Sequence, residues 1–192
     1  MNRSIPFLSL LLLAACNATT ETTETQPMSM EEMAAMNEID ASTPQHERIM
    51  QGVGEWEGTI TMHVPGQEPM SFPCTETVTS VGNLWTTGRF DMEFMGQPFS
   101  GVSTLGYDVV AQKYVGTWTD SMSPVRANMV GDWDDEKQAI VMNYDMYEVS
   151  TGETKKMRSV TAHRGDSYTI RFYDLGMSDK DLYMEIAMNR KR

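Results

Sequence analysis

From Gly54 onward, apolar and polar residues alternate with a period of two almost to the end of the chain, the signature of half-buried strands. The alternation predicts strands at roughly 56–64, 70–81, 84–94, 98–106, 113–121, 125–133, 138–147, 154–164, 166–173 and 181–189. The junctions carry turn residues: Pro65 with Gly66, Gly82 with Asn83, Met95 with Gly96, Asp134 with Asp135, Thr151 with Gly152, and Gly165 with Asp166. No helical pattern separates successive strands, so parallel crossovers are excluded. An antiparallel meander of about ten strands is expected to close into a barrel, because closure removes exposed edges. Before it, Ser42, Thr43 and Pro44 start a short helix with proline at an early, harmless position, and His46, Ile49, Met50 and Val53 share its inner face.

Phase along the strands assigns the interior. Trp56, Gly58, Ile60, Met62 and Val64 fall on one side of the first strand; Glu57, Thr59, Thr61 and His63 fall on the other. The same reading places Phe90, Met92 and Phe94 inside, followed by Tyr114 and Trp118, then Ile140, Met142 and Tyr144, and later Tyr168, Ile170 and Phe172. Arg158 runs in phase with Val160 and Ala162, and Asp120 with Trp118, so both charges are expected to face the lumen. His63 and His163 are expected to face outward. A bulge in any strand would invert such an assignment.

The chain begins differently. Arg3 and an apolar run from Ile5 to Ala15 form a segment too short for the about twenty residues that a bilayer span needs, but suited to a secretory signal. The run ends in Leu13, Ala14, Ala15, Cys16, which resembles the lipobox of bacterial lipoproteins. That resemblance implies cleavage before Cys16 and acylation of its thiol, with the bilayer as a partner and Asn17 favouring the outer membrane, facing the periplasm. The expected organisation is a signal peptide at 1–15, a lipidated cysteine with a Thr/Glu/Met-rich tether at 16–42, and a barrel domain at 43–192. Ser29 and Glu32 form a candidate capping box for a transient helix from Met30 to Asn37.

Composition narrows the partners. A net charge of −12 offers no basic surface for phosphates, so nucleic acid is not expected. The chain has two cysteines, and with Cys16 lipidated Cys74 has no internal partner; it reads as a small buried strand residue.

Taken in order, several groups of residues resemble one family. These are His46 in the helix, the run Gly54 to Gly58 with its Gly, any residue, Trp start, Gly96 to Gly101 with Pro98 and Phe99, and Gly106, Tyr107, Asp108. Tyr114, Trp118, Thr119, Asp120 and Ser121 follow, and then Arg158, Ser159, Val160 and Thr161. Together they are similar to the bacterial domain of unknown function 1579 family. The resemblance implies a calycin or lipocalin-like barrel and supplies no activity or ligand. Where that family often carries paired glycines before the third strand, this chain has Gly82, Asn83, Leu84.

Two broad functions compete. A binding module would use Trp56, Phe90, Met92, Trp118, Tyr144 and Phe172 as walls, with Asp120 and Arg158 as polar handles for a small apolar or amphipathic ligand; the same rings would equally fill a solid core. A hydrolase-like enzyme needs a base, and of three histidines His46, near the barrel mouth, is the candidate, taken with Asp120, while Asp108 and Asp120 form a candidate carboxylate pair. The binding module is the expectation, without a catalytic role or cofactor. Haem, held in some calycin-like barrels by an inward histidine on a late strand, is disfavoured by the outward phase of His163. Met28, Met30, Met33 and Met36 have the spacing of thioether clusters for Cu(I), set against methionine enrichment throughout, with eighteen in the chain.

Overall fold

The computed structural model describes residues 28–33, 42–177 and 182–192. Cys16, the run from Ile5 to Ala15, the tether up to Pro27, and Met36 lie outside the described residues. Residues 28–33 belong to a unit separate from the barrel. They form a helical turn in which Ser29 N–H donates to Glu32 Oε2 at 2.7 Å and Glu32 N–H donates to Ser29 Oγ at 3.1 Å, the reciprocal bonds of a capping box.

Helix α1 (Pro44–Met50) precedes ten antiparallel strands: β1 (Gly54–Met62), β2 (Met70–Val81), β3 (Trp85–Phe94), β4 (Gln97–Asp108), β5 (Lys113–Asp120), β6 (Ala127–Asp134), β7 (Ala139–Glu148), β8 (Glu153–Arg164), β9 (Ser167–Asp174) and β10 (Leu182–Arg190). Each strand pairs with its sequence neighbours, and β1 pairs with β10 from Trp56↔Arg190 to Met62↔Met184, closing the barrel. The expected ends agree within about two residues. Turn chemistry explains the tight joints: between β3 and β4, Met95 and Gly96 both have positive φ, 52° and 77°, the conformation that continues the twist of a two-residue hairpin.

Alternation fixes most of the interior correctly. Trp56, Ile60, Cys74, Phe90, Tyr168, Ile186 and Met188 form one buried cluster, with Met92, Trp118 and Phe172 packed against it. A second cluster of Ile49, Tyr114, Ile140 and Met142 joins α1 to the wall. The helix therefore seals the end of the barrel where β1 starts. Thr43 N–H donates to His46 Nδ1 at 3.1 Å, which ties the first turn of α1, and Arg48 lies over the Trp133 ring at 4.3 Å.

Strand β8 departs from the expectation. Its buried positions are Met157 and Ser159, and these face Tyr144 and Met142 across the β7 ladder. Cross-strand partners point to the same side, so Met157, Ser159, Thr161 and His163 face inward while Arg158, Val160 and Ala162 face outward. Arg158 and His163 thus exchange the sides predicted for them. The cause is an inverted polarity: β8 presents serine, threonine and histidine to the interior and valine and alanine to the outer face. A bulge in β10 between Leu182 and Met184 shifts the register at Tyr183.

Candidate functional site

The residues expected to form a binding wall divide into a packed group and a free one. Trp56 is 1% exposed; its Nε1–H donates to the Gly52 carbonyl at 2.8 Å, and the Arg190 guanidinium covers its other aspect at 4.2 Å. Phe90 meets the Trp118 ring edge to face at 6.2 Å. Trp118 in turn occupies the space left by Gly101, where a Cβ would lie 2.1 Å from the indole. With Met92 and Phe172 in the same cluster, these side chains fill the lumen with one another.

The polar handles are also committed to structure. Asp120 Oδ2 accepts the Trp118 Nε1–H at 2.9 Å, and Oδ1 accepts the backbone N–H groups of Met122 and Ser123 at 2.8 and 2.9 Å. It anchors the turn after β5 and does not meet Arg158. Arg158 instead donates from Nε to Asn143 Oδ1 at 3.0 Å on the outer face. His46 is 2% exposed at the helix-capped end, its Nδ1 held by Thr43, whereas Asp120 ends β5 at the opposite end. Asp108, at the helix end, caps its own turn by accepting from Val110 and Ala111 N–H. His46 and Asp120 are therefore not assembled as a catalytic pair, and Asp108 and Asp120 lie at opposite ends of the barrel.

Other titratable groups lie inside the wall. Tyr168 donates to Glu76, whose carboxyl is pushed up by burial. His163 is tilted against Tyr168 at 5.2 Å and meets Trp56 edge to face at 6.2 Å; its Nδ1 is buried without a hydrogen-bond partner among the described residues. Burial, reinforced by Arg190 and Arg164, lowers its pKa to about 4. The ring faces inward, opposite to the phase that disfavoured a haem ligand; it is packed between aromatic side chains and lines neither the β6–β7 cleft nor the hollow across β1 to β4. Cys74, pushed up to about 11 by burial and by Glu76, stays a thiol, and its Sγ–H donates to Met188 Sδ at 3.7 Å. Among the described residues, no group of three His, Cys, Asp or Glu side chains is placed to hold a metal. Met28, Met30 and Met33 are exposed by 50%, 81% and 44%.

Space is found elsewhere. The β6–β7 ladder runs only from Asp134↔Ala139 to Met129↔Tyr144, whereas β6 stays with β5 as far as Ala127 and β7 stays with β8 as far as Glu148. Where the strands part, a cleft of about 550 Å³ opens, lined by Arg126, Asn128, Asn143, Tyr144, Met157 and Leu175 among others. Strand parity divides its lining: Tyr144 and Met157 lie in phase with the interior, while Asn128, Asn143 and Asp145 belong to the outer face. The cleft thus has a polar lip and a deeper apolar side.

Next to it, Lys155 pairs with Glu148 and lies 3.7 Å from Asp174, which is only 4% exposed. Burial and the neighbouring Tyr183 raise the Tyr144 phenol above its usual range, keeping it a neutral hydrogen-bonding group. A second hollow of about 660 Å³ lies across β1 to β4, with Glu57, Asp91 and Glu93 on its outer side. Of the predicted site residues, Tyr144 alone lines the first cleft, and Met92 borders the second.

Arg126, Asn128, Asn143 and Met157 were not singled out by the sequence. Met157 could have been found from the β7–β8 register, but the point where β6 leaves β7 has no signature in alternation.

Solved structures share this architecture at low sequence identity. Rv2717c from M. tuberculosis is 14% identical, with a TM-score of 0.56 over 79% of this chain and 100% of that one. The S-type phycobiliprotein lyase CPES from Guillardia theta is 10% identical, with a TM-score of 0.50 over 81% of this chain and 97% of that one. These likenesses concern the fold. No curated protein is similar enough in sequence to match. Residues 41–190 match the family described as protein of unknown function (DUF1579), and the chain, a closed calycin-like barrel with a capping helix, belongs to it.

Proposed function

We propose that the barrel is a non-catalytic binding module that takes a small amphipathic molecule into the cleft between β6 and β7. The observation that carries this reading is the parting of the two strands beyond Met129↔Tyr144, which combines a polar lip with Tyr144 and Met157 at depth. A volume of about 550 Å³ falls within the range of small-molecule sites. Catalysis has less support, since His46 and Asp120 serve the helix and a turn at opposite ends of the barrel.

Titration of the full chain, purified without detergent, with short-chain amphiphiles and native mass spectrometry as readout tests the reading. Saturable binding of one molecule is expected, weakened about tenfold in Tyr144→Ala, equivalent to about 1.4 kcal/mol. Binding that is absent, or indifferent to Tyr144, would overturn it.

The order Leu13, Ala14, Ala15, Cys16 supports a further part of the proposal: an acyl anchor on Cys16 tethers the domain to a bacterial membrane, on the periplasmic side of the outer membrane. Among the described residues no helix is long and apolar enough to cross a membrane. Detergent-phase partitioning of the full chain should be lost in Cys16→Ser, and unchanged partitioning would refute the anchor.

A further inference from the structure

We infer that the ligand of this cleft is a single-chain amphiphile with a carboxylate head, Arg126 being the residue that selects the head. The inference rests on the binding reading above and adds the chemistry of the bound molecule. The lip gives the first argument through its donors and acceptors. Asp145 is paired with Lys156 at 2.6 Å, and the Asn143 Oδ1 is taken by Arg158, leaving the Asn143 amide N–H groups as the side chain's unused function. Arg126 has no ion-pair partner among the described residues. The Asp145 carboxylate and the Asn143 oxygen are thus engaged while the Arg126 guanidinium and the Asn143 amide N–H groups remain as donors, so the head that complements Arg126 is an acceptor carrying negative charge.

Charge distribution gives the second argument. In a chain of net charge −12, the cleft has two cations, Arg126 and Lys156, against the single carboxylate of Asp145, with Arg158 bonded to its lip. The hollow across β1 to β4 has the opposite character, with Glu57, Asp91 and Glu93. The lining of the cleft itself is therefore locally cationic in an acidic chain, with the Lys155, Glu148 and Asp174 set beside it. A guanidinium matches a carboxylate through two parallel N–H bonds. A phosphate monoester, with close to two charges, would require a second uncommitted cation, and Lys156 is already engaged by Asp145. With the head at the outer lip, the alkyl chain follows the wall inward along Tyr144, Met157 and Leu175.

The test compares decanoate, decanol and decyl phosphate, each below its micellar concentration, on the full chain. Decanoate is expected to bind about tenfold more tightly than decanol, with the preference lost in Arg126→Gln, partly restored in Arg126→Lys, and reduced by added salt. Equal binding of decanol and decanoate, or a preference that survives Arg126→Gln, overturns the role of Arg126. Tighter binding of decyl phosphate than of decanoate overturns the choice of head. In those cases the cleft reading stands if Tyr144→Ala weakens all three ligands, and it falls too if none binds saturably or Tyr144→Ala weakens none.

Discussion

The helix-capped end of the barrel and the far end are made from the same strands but resolve their polar groups differently. At the capped end, Trp56, Tyr114 and His46 are each no more than 2% exposed; the Trp56 bond to the Gly52 carbonyl joins the wall to the segment after α1, and Thr43 and His46 tie the helix's own first turn. At the far end β6 and β7 part, and charged groups meet at the rim in the Lys155, Glu148 and Asp174 set. Rings in a barrel are therefore no guide by themselves to a ligand site. Here most of them stabilise the capped end and the middle, and room is left where a backbone ladder stops.

Substitutions should separate the two ends, the largest effect being at the capped one. Trp56→Ala removes a fully buried ring and its hydrogen bond, with an expected loss of about 3–5 kcal/mol in denaturant unfolding. Gly101→Ala places a methyl group against the Trp118 ring, which must leave its seat beside Asp120; a loss of about 1–3 kcal/mol and altered tryptophan emission are expected. His46→Ala removes the buried ring that accepts the Thr43 N–H at the start of α1, at a cost of about 2 kcal/mol, measured by thermal melting, while decanoate binding at the far end is unchanged. Loss of binding in that variant would break the independence of the two ends.

Acid should act through the capped end as well. Folded His163 keeps a pKa of about 4, below its unfolded value near 6.5, so between these limits the unfolded chain binds more protons and stability falls as pH falls. Glu76 opposes this, because its raised pKa makes the folded chain the better proton acceptor above the ordinary carboxylate range. Trp56 and Tyr168 face the histidine from β1 and β9, and Arg190 and Arg164 are the cations that act on it. In His163→Gln the drop in melting temperature between pH 7 and pH 4.5 should shrink; an unchanged drop would exclude this histidine as its source. The smallest effect is expected for Arg158→Ala, an outward residue, whose stability should stay within about 0.5 kcal/mol of the parent.

Arg158 also marks where the sequence stops being informative. Strand positions and turns were readable because alternation and residues such as Gly96 report local backbone geometry. The inner rings were readable because most strands place apolar groups inside. In β8 the interior takes Ser159, Thr161 and His163, so the polarity rule points the wrong way and only pairing with β7 reveals the true phase. The cleft was illegible for another reason: it depends on how far two strands stay together, a long-range property. Tyr144 was recognised as an inner residue, but Arg126 and Asn128 follow a turn whose path alternation does not define.

The β1–β10 seam has a consequence for biosynthesis. Gly54 and Arg190 lie at opposite ends of the folded sequence yet at one rim, and Lys191 N–H donates to the Glu55 carbonyl at 2.8 Å. A ribosome delivers β1 long before its partner, so the nascent sheet must wait with an unzipped margin until the final strand emerges. Holdases that shield such a margin would matter most for this chain during that interval.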